Sequence, residues 1–326
     1  MGHRVRADIL AEALTAQGCT AGLILDHDAP EADSPVHRLP EGALPPEELA
    51  HYPPGRAPVI LDLSHPAMAP DLPQLVQALK AQERSVGLID GLGAEAYVTD
   101  LPEADPDLVL TPYVLEPGAT PRSARVWVCG PDHAVLDPAY AQVPELAASA
   151  RAKHILVSIS GTDPWSLTEG VASALLDGGL PEGWTASVIA GPGFDGPRIA
   201  MLQRLIGGHS DVDLVIAPRG LRPSLVTARL AILGPGLAKY EAAACGTYSL
   251  ILSPDQAFAD MNRPFEAEGL ATVLRAGVPS PTALRQAITV VDPGAIRDPR
   301  GVIDGQGASR AAARFVSELF TESRDT

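Results

Sequence analysis

The chain has 326 residues, enough for two domains of ordinary size. Hydrophobic residues make up 46% of it and aromatic ones 4%, which excludes disorder and predicts a core of aliphatic side chains. The net charge of −16, with lysine only at Lys80, Lys153 and Lys239, argues against nucleic acid and anionic membranes as partners. A small anionic ligand stays open, because backbone N–H groups or a few arginines suffice locally.

Cys19, Cys129 and Cys245 are too scattered for a metal site or a disulfide framework. No secretory leader and no apolar run of membrane-spanning length is visible, so the default expectation is a cytoplasmic protein.

In chain order, residues 9–17 read as a helix and 21–25 as a strand. A short strand at 36–39 follows a Pro-rich, acidic loop. Strand 59–63, helix 72–82, strand 86–89 and strands 108–110 and 126–129 complete a first set. Short, uninterrupted apolar strands between helices predict a parallel sheet covered on both faces. An alanine-rich helical stretch, 138–152, leads to a strand at 154–159, where the alternation restarts. Further strands are expected at 186–190, 214–217, 230–233, 249–252 and 272–274, with helices near 167–176, 198–206, 224–227, 237–244 and 259–268. The pattern predicts two doubly wound α/β domains, 1–150 and 151–326, with the last helix packing back on the first domain and a ligand cleft between the two.

Gly2-His3-Arg4-Val5-Arg6 runs directly into the first helix, where a doubly wound domain places the loop after its first strand. That strand is therefore expected upstream of Met1, from a longer reading frame. The alternative is a frayed terminus with no strand missing.

The most informative stretch is Gly234-Pro235-Gly236-Leu237-Ala238-Lys239-Tyr240-Glu241. An apolar strand stops at a glycine-proline-glycine turn, and a helix follows with Glu241 in its early turns. Strand, glycine turn and helix is the unit that offers backbone N–H groups to a phosphate, and Glu241 is placed to accept hydrogen bonds from sugar hydroxyls. Read alone, the turn suits a nucleotide-sugar or an ordinary αβ connection equally.

Five segments, in order along nearly the whole chain, resemble one family. Gly2-His3-x-x-Arg6 looks like the loop of two-domain nucleotide-sugar enzymes of the GT-B fold. Ser160-Gly161-Thr162-Asp163-Pro164-x-Ser166-Leu167-Thr168 is similar to the Gly-Gly-x-Asp-Pro-x-Asn-Leu-Thr loop of one branch. Gly130-Pro131-Asp132-His133-Ala134-Val135-Leu136 resembles its Gly-Pro-x-Tyr-Ala-Leu-Leu. Gly236-Leu237-x-Lys239-Tyr240-Glu241, with Asp255-Gln256, resembles its Gly-x-Thr-x-Tyr-Glu and Asn-Gln. Ile303-Asp304-Gly305-x-Gly307-Ala308-x-Arg310 matches its C-terminal signature. The branch holds the UDP-2,4-diacetamido-2,4,6-trideoxy-β-L-altropyranose hydrolases of pseudaminic acid synthesis and the related spore-coat polysaccharide proteins.

The resemblance implies a UDP-sugar substrate, no metal and no cofactor. It makes His3 the base that activates water at the anomeric carbon, a task suited to a side chain whose ordinary pKa is about 6.5. It places Asp255 as a second catalytic candidate. Arg6, Gly161, Thr162, Asp163, Gly191, Gly236, Leu237, Glu241 and Gln256 become the substrate- and nucleotide-binding set. The same fold hosts glycosyltransferases, in which an acceptor hydroxyl replaces water, and a degenerate protein that binds without turnover is the third expectation. Two positions depart from the pattern. In Leu61-Asp62-Leu63-Ser64-His65, Ser64 stands where the family has tyrosine, and His65 is either a substitute polar group or a turn residue before Pro66. Asp255 stands where the family has asparagine. Asp163-Pro164 also reads as a helix entry.

Overall fold

The computed structural model describes residues 2–26, 32–41, 44–62, 71–90, 104–115, 125–144, 150–291 and 298–320. Ser64 and His65 lie outside the described residues. The chain forms two compact units, one of Met1–Pro138 with Gly305–Thr326, the other of Ala139–Asp304.

The first unit opens with helix α1 (Gly2–Ala16). Strands β1 (Leu23–Leu25) and β2 (Val36–Arg38) form a parallel pair, and α2 (Pro46–Leu49) follows. Strand β3 (Val59–Asp62), helix α3 (Leu72–Ala81) and strands β4 (Val86–Ile89), β5 (Leu108–Thr111) and β6 (Val126–Cys129) build a parallel sheet in the order β3-β4-β5-β6. The strand alternation sorts its core. Ile89, Leu108 and Leu110 meet Leu10 and Leu14 of α1, while Val86, Leu88 and Val109 meet Val76 and Leu79 of α3.

The final helix, α11 (Gly307–Leu319), belongs to this unit. It presents Ala308, Ala311, Ala312, Phe315 and Leu319 to the core at helical spacing. A Cβ on Gly307 would lie 2.2 Å from the Ala134 carbonyl oxygen, and Arg310 donates to the Asp132 carbonyl at 2.7 Å. The Gly130-to-Leu136 segment and the first turn of this helix therefore pack on each other. Among the described residues, their part is to fasten the last helix.

Two expectations of the sequence are corrected here. Gly2-His3-x-x-Arg6 is the first part of α1, not a loop before it. Arg4, Arg6, Ala7 and Leu10 are good helix formers, and no proline interrupts them. In the alanine-rich stretch 138–152, Pro138–Gln142 is a short 3-10 turn rather than part of one long helix and Ala152 already starts a strand, while 145–149 lie outside the described residues.

The second unit is a six-stranded parallel sheet. In chain order it contains β7 (Ala152–Ser158), α4 (Leu167–Ala174), β8 (Thr185–Ala190), α5 (Gly196–Ile206), β9 (Val212–Ile216), α6 (Arg222–Thr227) and β10 (Ala228–Leu233). Helix α7 (Ala238–Ala244), β11 (Tyr248–Ile251), α8 (Gln256–Met261), α9 (Arg263–Ala267), β12 (Ala271–Val273) and α10 (Pro281–Val290) complete it. The strand order is β12-β11-β10-β7-β8-β9. The chain leaves β7 toward β8 and β9, then returns to the other side of β7 with β10. The switch of direction lies between β7 and β10, the place where open parallel sheets bind ligands beyond their carboxyl ends.

Candidate functional site

In the second unit, the loops that leave β7, β8 and β10 meet at that switch. A Cβ on Gly234 would lie 2.0 Å from the Ile159 carbonyl oxygen, and one on Gly191 would lie 2.4 Å from the Gly161 carbonyl oxygen. Gly193 donates its N–H to the same Gly161 oxygen at 2.8 Å. Only glycine lets the three backbones approach this closely. Gly236 has open space where a Cβ would stand.

The N–H groups of Gly161 and Thr162, after β7, and of Gly236 and Leu237, after β10, engage no acceptor among the described residues. Backbone N–H groups gathered at the end of a parallel sheet form an anion cradle.

Asp163 lies in this loop but does not face solvent. It is fully buried, with φ +40°, and its carboxylate accepts from the N–H groups of Leu167 at 3.2 Å and Thr168 at 2.8 Å. It caps the start of α4. Arg198 of α5 then clamps the loop from behind. Its NH1 donates to the carbonyls of Thr162 at 3.0 Å and Asp163 at 3.1 Å, and its NH2 reaches the Asp163 carboxylate at 3.2 Å. Glu169 takes Nε and NH2 at 2.6 and 2.8 Å, and the guanidinium stacks 4.0 Å over the Phe194 ring. The Glu169 hydrogen bonds, with the carboxylate charges of Glu169 and Asp163, hold the Arg198 pKa above its ordinary value against the pull of burial. Asp163 is thus a residue that orders this loop, and Arg198, which sequence reasoning missed, is its partner.

Asp255 caps α8, its Oδ1 accepting from the Phe258 N–H at 3.0 Å. Gln256 donates to Asp260 at 2.9 Å. Glu241 stands on α7, half-buried, one turn past Leu237. Trp165 is 43% exposed and meets Phe258 edge-to-face at 5.1 Å, so the loop after β7 touches α8 through aromatic rings.

In the first unit, α1 carries His3 and Arg6 on one face, and both reach Asp62 at the carboxyl end of β3. His3 Nδ1 is 3.0 Å from Asp62 Oδ1, and Arg6 Nε donates to Asp62 Oδ2 at 2.9 Å. Arg6 NH2 also donates to Asp62, and NH1 donates to the Tyr113 hydroxyl. Nδ1 is 3.1 Å from Arg6 NH2 as well. With the proton on Nδ1 the ring donates to the Asp62 carboxylate and keeps its lone pair on Nε2, as a base requires; with Nδ1 bare it accepts from Arg6 NH2 instead.

Burial pushes the Asp62 carboxyl up, but the bonds from His3 and Arg6 outweigh it and hold it below the usual carboxylate range. Burial of Tyr113 raises its phenol to about 12, so it stays protonated. Nearby, Asp90 is fully buried and accepts from Thr111 Oγ1 at 3.2 Å, and Thr111 accepts from Trp127 Nε1 at 2.9 Å. Tyr113 and Asp90 went unread in the sequence. Both stand just past parallel strands, and that position was the available signal.

Of the expected residues, His3 and Arg6 come together in one unit. Gly161, Thr162, Asp163, Gly191, Gly236, Leu237 and Glu241 line or brace one end of the other sheet, and Asp255 and Gln256 start the helix after β11. Among the described residues, no cluster of histidine, cysteine or carboxylates suits a metal ion, and no helix is long and apolar enough to cross a membrane.

No family model and no curated protein matches the chain. Solved structures do. The co-structure of S. aureus MnaA with UDP aligns with a TM-score of 0.64 at 12% identity, covering 98% of this chain and 94% of that one. The fold is GT-B-like. Acinetobacter baumannii MurG aligns with a TM-score of 0.62 at 14% identity, over 98% of this chain and 96% of its own. Anabaena Alr3699/HepE in complex with UDP and glucose gives 0.53 at 13% identity, over 99% and 95%. At these identities the likeness is one of fold.

Proposed function

We propose that the protein acts on a nucleotide-activated sugar, with the UDP moiety held by the second unit and His3 serving as base. One observation carries the reading. The loops of β7 and β10 present the unengaged N–H groups of Gly161, Thr162, Gly236 and Leu237 at the switch point of a parallel sheet. That arrangement suits a diphosphate, and Glu241, one turn further on, suits the ribose hydroxyls. Two aligned structures, S. aureus MnaA and Anabaena HepE, are complexes with UDP, which supports this choice.

The leading reaction is hydrolysis. His3 Nε2 takes a proton from water as the water oxygen bonds to the anomeric carbon. The bond from that carbon to the diphosphate oxygen breaks, and UDP leaves with the electron pair. Asp62 holds the imidazole and stabilises the charge that it gains, and Arg6 with Tyr113 holds Asp62. From the family resemblance, the released sugar would serve surface polysaccharide or nonulosonic acid synthesis. A glycosyl transfer, with an acceptor hydroxyl in place of water, is the second reading. An aligned structure, LpCGTa in complex with UDP, has a TM-score of 0.60 and supports UDP as the ligand in either reaction.

The test is product analysis with a panel of UDP-sugars. Release of UDP and free sugar without an added acceptor supports hydrolysis. Release only with an acceptor supports transfer. Thermal stabilisation by UDP without turnover of any UDP-sugar leaves a binding protein, and no stabilisation by any nucleotide overturns the reading.

A further inference from the structure

Lys239 is buried in α7, three residues past Gly236. Its Nζ donates to the Pro235 carbonyl at 2.9 Å and to Asn262 Oδ1. The Tyr240 and Phe265 ring centroids lie 5.4 and 5.5 Å from it. An ammonium has three N–H donors, so one more than these acceptors use.

No carboxylate pairs with Lys239 among the described residues. The charged groups on the elements around it are committed elsewhere. Asp255 caps α8, Asp260 accepts from Gln256 and Arg263, and Glu266 accepts from the Val273 N–H at 2.8 Å. Glu241, on the same helix, bears on the Cys245 thiol. Burial with no compensating charge pulls the amine down to about 7. A desolvated cation without a counter-ion is costly, and such a group sheds its proton instead. The carbonyl that Lys239 holds belongs to the same turn whose Gly236 and Leu237 N–H groups are unengaged. The amine therefore lies on the protein side of the anion cradle.

We propose that Lys239 is the buried counter-charge of the diphosphate held by the 234–237 turn, and that its amine takes a proton from solvent when the phosphates arrive. The inference rests on the nucleotide-sugar reading above. A negative charge across the turn raises the amine's proton affinity, and by linkage the protonated amine raises the affinity for the diphosphate. Well below pH 7 the amine is already charged, and binding takes up no proton. At about pH 8 it is mostly neutral in the empty site, so uptake approaches one proton per complex. Affinity falls as pH rises through 7, by up to about tenfold per pH unit.

The test is calorimetric titration of the full chain with UDP-N-acetylglucosamine, at about pH 5.5 and pH 8, in buffers of different ionisation enthalpy. Both phosphates of this probe are esterified, so neither titrates near neutrality. UDP at pH 8 is the second probe. The His3→Ala background removes both turnover and the imidazole from the proton count. The expected result is uptake near one proton at pH 8 and near zero at pH 5.5. Lys239→Met, which keeps the length and the apolar packing, should abolish the uptake and flatten the pH dependence of Kd. Lys239→Arg, permanently charged, should bind with no uptake. Binding without proton uptake, or uptake that survives Lys239→Met, overturns the inference and leaves the nucleotide-sugar reading intact. No binding of either probe at either pH overturns both.

Discussion

Gly234 sits against the Ile159 carbonyl so closely that a Cβ on it would lie 2.0 Å from the oxygen. The turn after β10 thus rests directly on the loop after β7, and the unengaged N–H groups of both loops share one end of the sheet. Gly234→Ala forces a backbone shift, because its partner is main chain and cannot rotate away. The expected loss is about 1–3 kcal/mol of unfolding free energy, the usual range for overpacking. Urea denaturation and a UDP titration measure the two consequences. Stability and affinity both equal to wild type would show that the loops do not depend on this contact.

Arg198 joins the Thr162 and Asp163 carbonyls to the Glu169 carboxylate. Arg198→Ala should cost about 1.5–3 kcal/mol, the range for hydrogen bonds to charged groups. The Leu167 and Thr168 amides, which bond to Asp163, should exchange faster with deuterium. Arg198→Lys should recover little, because an ammonium lacks the planar fork. Full rescue by lysine would mean that charge alone, without the forked geometry, holds the loop.

Glu241→Ala should weaken UDP binding by about 1.5–3 kcal/mol, the loss of a charged hydrogen bond to the ribose. Calorimetry with wild type and variant side by side is the measurement. Equal affinities would remove Glu241 from the site.

Asp62→Asn should lower turnover far more than UDP affinity, because the carboxylate acts through His3 in the transition state. His3→Ala should behave alike. Loss of UDP binding with turnover per bound substrate retained would give both residues a holding role. The Asp62 carboxyl is held below its ordinary value in the fold. Its contribution to stability is therefore present above the unfolded carboxylate pKa, and is lost as pH falls through the folded one. Acid unfolding of Asp62→Asn should be correspondingly shallower in that window.

The Lys239 amine falls from 10.5 to about 7 on folding. Between these values the unfolded chain binds more protons than the folded one, so stability should rise with pH. Unfolding free energy measured from about pH 7 to pH 9 should show the rise in wild type and lose it in Lys239→Met. A flat profile in wild type would mean that the amine stays charged in the empty fold.

The sequence by itself determined the α/β alternation, the parallel sheets and the positions of the glycine turns. Strand periodicity and glycine placement are local properties, and residues such as Gly234 and Gly236 announce a turn wherever the chain later packs them. It also singled out His3, Arg6 and Glu241, through a motif resemblance. Only the tertiary structure decided what those residues touch. His3 and Asp62 are 59 positions apart, and Arg6 and Tyr113 are 107 apart, so no window along the chain links them. Helix formation over Gly2–Ala16 puts His3 and Arg6, which the motif already joins, on one face. Asp255 and Asp163 hold helix starts, a role that the Asp163-Pro164 pair already indicated, and only the packed chain shows which backbone N–H groups each carboxylate caps. Lys239 read as one residue inside a motif. Its chemistry comes from burial between Asn262, Tyr240 and Phe265, and burial is a property of the packed whole, invisible in a linear sequence.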